Sequence, residues 1–132
     1  HYTRHGFRPV LEKHICDVIM PDITRCGGPG EMKRIATMAE AYGVLLAPHN
    51  PNGPLSTLAS AHVCASVPNF FRCEFMVNDV PWRDDCISEP LDVRDGYLYL
   101  SDRPGLGVNL VEKELEKHPG IRDLKARENF YV

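Results

Sequence analysis

Val44-Leu45-Leu46-Ala47-Pro48-His49-Asn50-Pro51-Asn52-Gly53-Pro54 carries an apolar run that stops at a histidine and gives way to turn residues. The run reads as a short strand buried on both faces. The Asn/Pro/Gly cluster after it reads as a loop feeding a helix that Pro54 opens at its first position. His49 then stands at the carboxyl end of a buried strand. Ligands bind at that end in parallel α/β folds, so an ionisable group there is a candidate for chemistry. A lone histidine in this place fits a loop cap equally well, and the neighbouring segments decide.

On the amino-terminal side, Met32, Ile35, Ala36, Ala39 and Tyr42 recur at helical spacing from Gly30, with Glu31, Lys33, Arg34 and Glu40 on the other faces and Gly43 placed to end the helix. Before it, Ile15-Cys16-Asp17-Val18-Ile19-Met20-Pro21-Asp22 is a mostly apolar run that ends in a carboxylate and continues to Gly27 and Gly28. Gly6 to His14 reads as a short helix with Pro9 in its first turn. On the carboxyl side, Leu55 to Val67 forms a small, apolar helix stopped by Pro68, and Phe70-Phe71-Arg72-Cys73-Glu74-Phe75 supplies a third strand, again with an acid near its end.

Asp22 and His49 are 27 positions apart, and His49 and Glu74 are 25 apart. Each interval holds a loop, a helix and a strand, close to the roughly 30 residues per unit of a (β/α) barrel. Three successive units thus present Asp, His and Glu at one rim. A doubly wound sheet would place a glycine-rich phosphate cradle at its first turn. Gly27-Gly28-Pro29-Gly30 only faintly resembles one.

Composition excludes several classes. The chain has 132 residues, 43% of them hydrophobic and 25% charged, which is ordinary for a globular protein and enough for one modest core. A formal net charge of −3 offers no general attraction to nucleic acid or an anionic membrane, so neither is expected as a partner. No apolar run reaches the roughly 18 residues of a membrane span, and the first residues lack a signal peptide's apolar region. Five cysteines without C-x-x-C spacing argue against a disulfide framework and a zinc ribbon, and fit a reduced, cytoplasmic setting. A zinc site of His49 with cysteines has no supporting spacing.

Past Phe75 the character changes. Trp82-Arg83-Asp84-Asp85 reads as a solvated loop, Gly96-Tyr97-Leu98-Tyr99-Leu100 as a short hairpin or extended segment, Val108 to His118 as a solvated closing helix, and Arg122 to Val132 as a loosely held polar end. The expected organisation is a partial (β/α) barrel over residues 1–76, followed by an extended segment and closing helix over 77–132, with no linker between two folded domains.

An aspartate beside a histidine holds the imidazole in one tautomer and raises its basicity. A glutamate one strand further can act as acid or hydrogen-bond donor if burial raises its pKa. The plainer alternatives are that Asp22 caps its own turn and that Glu74 pairs with Arg25 or Arg72. His5, His62 and His118 read as helix or surface residues, His1 and Arg4 as possible neighbours of the site, and Cys26 and Cys73 as packing beside it.

Ile19-Met20-Pro21-Asp22-Ile23-Thr24-Arg25-Cys26-Gly27-Gly28, Ala47-Pro48-His49-Asn50-Pro51-Asn52-Gly53-Pro54, Pro68-Asn69-Phe70-Phe71-Arg72-Cys73-Glu74-Phe75 and Arg103-Pro104-Gly105-Leu106-Gly107-Val108 together resemble the carboxyl-terminal part of the mandelate racemase subgroup of the enolase superfamily. Within it they look most like acid-sugar dehydratases of the galactonate dehydratase type. The resemblance implies the carboxyl-terminal portion of a modified TIM-type (β/α)7β barrel that abstracts the proton α to a carboxylate, with Mg²⁺ stabilising the enediolate. It makes Asp22 and His49 the catalytic dyad and Glu74 the acid that hydrogen-bonds the substrate carboxylate or enediolate. His49 is then general base, or general acid toward a departing β-hydroxyl. Racemase, epimerase or cycloisomerase chemistry, and a non-catalytic barrel piece, are the other readings.

The same resemblance puts all three carboxylate ligands of Mg²⁺ upstream of His1, leaving none in this chain, and makes the full-length protein a homo-oligomer acting on a small acid-sugar substrate. It also leads to the expectation that residues 1–132 alone present an open sheet edge and an uncovered apolar barrel interior.

Overall fold

The computed structural model describes residues 1–77 and 79–119. Helix α1 (Thr3–Glu12) leads to strand β1 (Val18–Ile19), helix α2 (Pro29–Ala41), strand β2 (Leu45–Leu46) and helix α3 (Pro54–Cys64). β1 and β2 pair in parallel, Val18 with Leu45 and Ile19 with Leu46. Single parallel bridges extend the pairing from Asp22 to His49 and from Leu46 to Phe70. The three expected βα units are therefore present, in order and in parallel, as an α/β architecture.

The strands are shorter than the apolar runs suggest. Pro21 and Pro48 are part of the reason: each occupies a position whose missing N–H cannot join a ladder, although their carbonyls accept His49 N–H at 3.2 Å and Glu74 N–H at 3.3 Å. Residues 70–75 form an extended segment with a single bridge rather than a regular strand. Burial on both faces does not hold along every run either. Leu46 is fully buried, while Leu45, Met20 and Ile15 are exposed.

The core forms between the sheet and the helices. Ile19 and Leu46 meet Met32, Ile35, Ala36 and Ala39 of α2, with Phe7 and Leu11 of α1 on one flank and Val63 and Cys64 of α3 in the same cluster. Each fully buried Leu, Ile or Met contributes about 1.5–3 kcal/mol. Buried Asn69 ties the layers together: its Nδ2 donates to the carbonyls of Ala36 (3.0 Å) and Val44 (2.9 Å), joining α2, the residue before β2 and the third run.

Helix ends follow their residues. Pro29 and Pro54 open α2 and α3. Gly43, at φ +69°, closes α2 by donating to Glu40, while Val44 donates to Ala39, a pairing that needs a left-handed residue between. α1 departs from expectation: it begins at Thr3, ends at Glu12, and carries Pro9 inside it. Phe7 and Leu11 bury on either side of that proline, which offsets the hydrogen bond it forfeits.

Past residue 77 three expectations change. Arg83 and Cys86 are buried, so the Trp82–Asp85 run is not a solvated loop. The hairpin lies slightly earlier, with β3 (Val93–Arg94) antiparallel to β4 (Tyr97–Leu98) around Asp95 and Gly96, both at positive φ, an Asp-Gly turn that matches strand twist. The closing helix is only α4 (Glu112–Lys117), because Asn109 and Val111 hydrogen-bond to Ser88 and Cys86 instead of coiling. The expectation for Arg122 to Val132 lies outside the described residues. No described helix is long and apolar enough to cross a membrane.

Candidate active site

Asp22 and His49 sit opposite one another in the parallel register, so their side chains leave the rim together. His49 Nδ1 lies 3.1 Å from Asp22 Oδ2. His49 Nε2 lies 4.0 Å from Glu74 Oε2. The three residues singled out from the sequence are thus brought to one place. Their accessibility differs in a way that matters for chemistry: the Asp22 side chain is 7% exposed, that of His49 45% and that of Glu74 36%. The imidazole and the glutamate are reachable from solvent; the aspartate is not.

Asp22 is held from several sides. Oδ1 accepts the Thr24 N–H at 2.8 Å and the Thr24 hydroxyl at 2.6 Å, and Oδ2 accepts Asn52 Nδ2 at 3.1 Å beside His49. Arg25 Nε stands 3.8 Å from the same oxygen. Burial alone would push the Asp22 carboxyl up, but the hydrogen bonds from Thr24, Asn52 and His49 together outweigh it and hold it below its ordinary range. Asp22 therefore caps its own turn with one oxygen and faces His49 with the other. An ionised Asp22 accepts the Nδ1 proton and leaves the Nε2 lone pair free.

Glu74 pairs with neither arginine proposed for it. Arg72 lies over the Phe71 ring at 4.1 Å, whereas Glu74 Oε2 accepts the Asn50 N–H at 2.7 Å. Fully buried Asn50 donates through Nδ2 to Thr57 Oγ1 (2.8 Å) and to the Glu74 carbonyl (3.2 Å), and accepts from Ser56 at 3.0 Å. Asn50 and Asn52 were legible only as turn formers. Their place directly after a rim histidine is the signal that they also serve the site.

A cavity of about 550 Å³ borders the pair and is lined by His1, Tyr2, Met20, Asp22, Arg25 and His49 among others. His1 thus borders the site, while Arg4 turns away to bind Glu31 through its backbone N–H and guanidinium, both at 2.8 Å. Glu31 packs where a Cβ on Gly27 would approach to 3.1 Å, so the glycine turn serves this ion pair. Cys26 is fully buried with its thiol pushed up by burial, and half-buried Cys73 donates to the Glu74 carbonyl at 3.5 Å. His118 stacks on Trp82 at 3.9 Å.

A match to the family described as Enolase C-terminal domain-like extends over residues 1–114. The chain belongs to that family. Its enolase-like character extends to individual proteins. The chain is 35% identical over 117 residues to a D-xylonate dehydratase of Haloferax volcanii, covering 89% of this chain and 28% of that protein. It is 31% identical over 118 residues to an arabinonate dehydratase of Saccharolobus solfataricus, covering 89% and 31%. A solved mandelate racemase/muconate lactonizing enzyme-like protein from Rubrobacter xylanophilus superposes with a TM-score of 0.84 at 41% identity, covering 91% of this chain and 31% of the other. The fold is accordingly of the TIM-barrel α/β type that this enolase-like family shares. The chain spans about a third of the length of these relatives.

The enolase-like family implies Mg²⁺, and the donors here do not fit one. Among the described residues no three His, Cys, Asp or Glu side chains converge as a metal site, and both Asp22 oxygens already accept hydrogen bonds.

Proposed function

We propose that this chain works within a longer, cytoplasmic, Mg²⁺-dependent acid-sugar dehydratase, as the part that supplies the proton-handling side of the site. The observation that supports this best is the arrangement of Asp22, His49 and Glu74: a buried carboxylate behind an imidazole whose far nitrogen is open, with a second carboxylate 4.0 Å from that nitrogen. The similarity to D-xylonate and arabinonate dehydratases supplies the substrate class, a sugar acid.

In this reading Asp22 fixes the Nδ1–H tautomer, and His49 Nε2 moves a proton. A sugar acid carries a proton on the carbon next to its carboxylate and a hydroxyl on the following carbon. Removing the proton leaves its electron pair delocalised toward the carboxylate. The pair returns to form the carbon–carbon double bond as the β-hydroxyl leaves, and the hydroxyl takes up a proton to depart as water. The resulting enol tautomerises to a 2-keto-3-deoxy acid. His49 Nε2 serves this sequence either as base toward the α-proton or as acid toward the hydroxyl, and Glu74, when protonated, donates to the substrate carboxylate. Mg²⁺ finds its ligands outside this stretch.

The test is to incubate the full-length protein and Mg²⁺ with a set of aldonates and follow the keto-acid product. Formation of a 2-keto-3-deoxy acid from at least one of them is expected. Inversion or exchange at the α-carbon without loss of water would overturn the dehydratase reading in favour of a racemase or epimerase.

A further inference from the structure

Arg83 belongs to the stretch after the third run, far in sequence from the dyad, and its side chain is only 9% exposed. Its guanidinium pairs with Asp79 through Nη1 and donates through Nη2 to the Asn52 carbonyl at 2.6 Å, with the Phe75 ring 5.7 Å beneath it. Nε is buried and has no hydrogen-bond partner among the described residues. Burying a cation with one donor unpaired is costly. The far end of this stretch is held separately, by buried Cys86 and Ile87 and by Val111 N–H bonding back to the Cys86 carbonyl at 3.0 Å.

The Asn52 peptide that Arg83 grips belongs to the residue whose side chain donates to Asp22 Oδ2 at 3.1 Å, the oxygen that also meets His49 Nδ1. With Asn52 taking one lone pair of Oδ2, the other is left to His49 Nδ1, and its direction sets the plane of the imidazole. Arginine's rigid fork suits this task. A lysine keeps the charge but cannot hold Asp79 and the Asn52 carbonyl in one plane.

We propose that Arg83 is a positioning residue for the Asp22–His49 pair, acting through Asn52. The catalytic consequence rests on the dehydratase reading; the structural link does not. Around Asp22 the titratable and charged groups are His49, Arg25 and the Cys26 thiol, with Glu74 beyond His49.

The experiment compares wild-type full-length protein with Arg83→Lys, Asn52→Ala and the double variant. It follows the carboxyl carbon resonance of Asp22 against pH, together with kcat and KM. Arg83→Lys is expected to move the Asp22 midpoint up, because a donor to the ionised form is loosened, and to lower kcat about tenfold at unchanged KM. Asn52→Ala does the same, and adding Arg83→Lys to it moves the midpoint no further. Asp79→Asn perturbs the same fork more gently and shifts Asp22 in the same direction. An unmoved midpoint in Arg83→Lys and Asp79→Asn, or full additivity in the double variant, overturns the proposal. Should no sugar acid be turned over by the wild type, the functional reading fails while the titration still decides the role of Arg83.

Discussion

His49 Nδ1 and Asp22 Oδ2 stand 3.1 Å apart at bridged positions just past the ends of two parallel strands, each one residue after a fully buried proline. Replacing Asp22 by Asn keeps the volume but offers an amide where an acceptor is needed, so the imidazole loses its fixed tautomer. Asp22→Asn is expected to lower kcat by about two orders of magnitude or more, with substrate affinity largely kept. Steady-state kinetics check it.

Acid stability follows from the same carboxylate. The folded-state pKa of Asp22 lies below its ordinary value of 3.8. The stabilisation is therefore fully present above that value and is lost as pH falls through the lower folded one. Between those two values wild type is expected to lose stability as pH falls more steeply than Asp22→Asn. Denaturant unfolding across that window measures the difference, and parallel curves would contradict it.

Asn50 holds Glu74 from two sides while sitting fully buried. Asn50→Ala keeps the backbone donor to Oε2 but takes the acceptor from the Ser56 hydroxyl and the donor from the Thr57 hydroxyl, which still donates to the Gly53 carbonyl, at a cost of about 1–3 kcal/mol. A lower urea midpoint at unchanged slope is the expected result.

Tyr2 (66% exposed), Ile15 (66%) and Met20 (52%) present apolar surface around the cavity that Val18 and Ile19 of β1 also line. Residues 1–132 expressed alone are expected to self-associate and to show no dehydratase activity. Sedimentation and a keto-acid assay of that polypeptide test both statements.

Asp22, His49 and Glu74 were legible from sequence because each ends an apolar run and the runs recur at barrel spacing. Gly43 was legible because an amphipathic helix stops at it. Strand length was not, since a ladder depends on its partners, and Pro21 and Pro48 interrupt it at the rim. Arg83 was hidden by its company: beside Trp82, Asp84 and Asp85 it looks like solvated charge, and only the fold shows it buried against Asn52. The hairpin begins earlier than its alternating residues suggest, because its start at Val93 carries little alternation; Asp95-Gly96 is the turn signal that marks it. The place of Asn50 and Asn52 after His49 marks them for the site, but their partners, 24 and 30 residues away, lie beyond the reach of any local pattern.

In the proposed dehydration of a sugar acid, everything turns on His49 Nε2 moving a proton. Turnover of an accepted aldonate by the full-length protein and by His49→Asn tests it most directly. The variant is expected to bind the substrate but to lose roughly 10²–10⁴-fold in kcat, whereas dehydration by it at the wild-type rate would rule out a proton-moving role for His49.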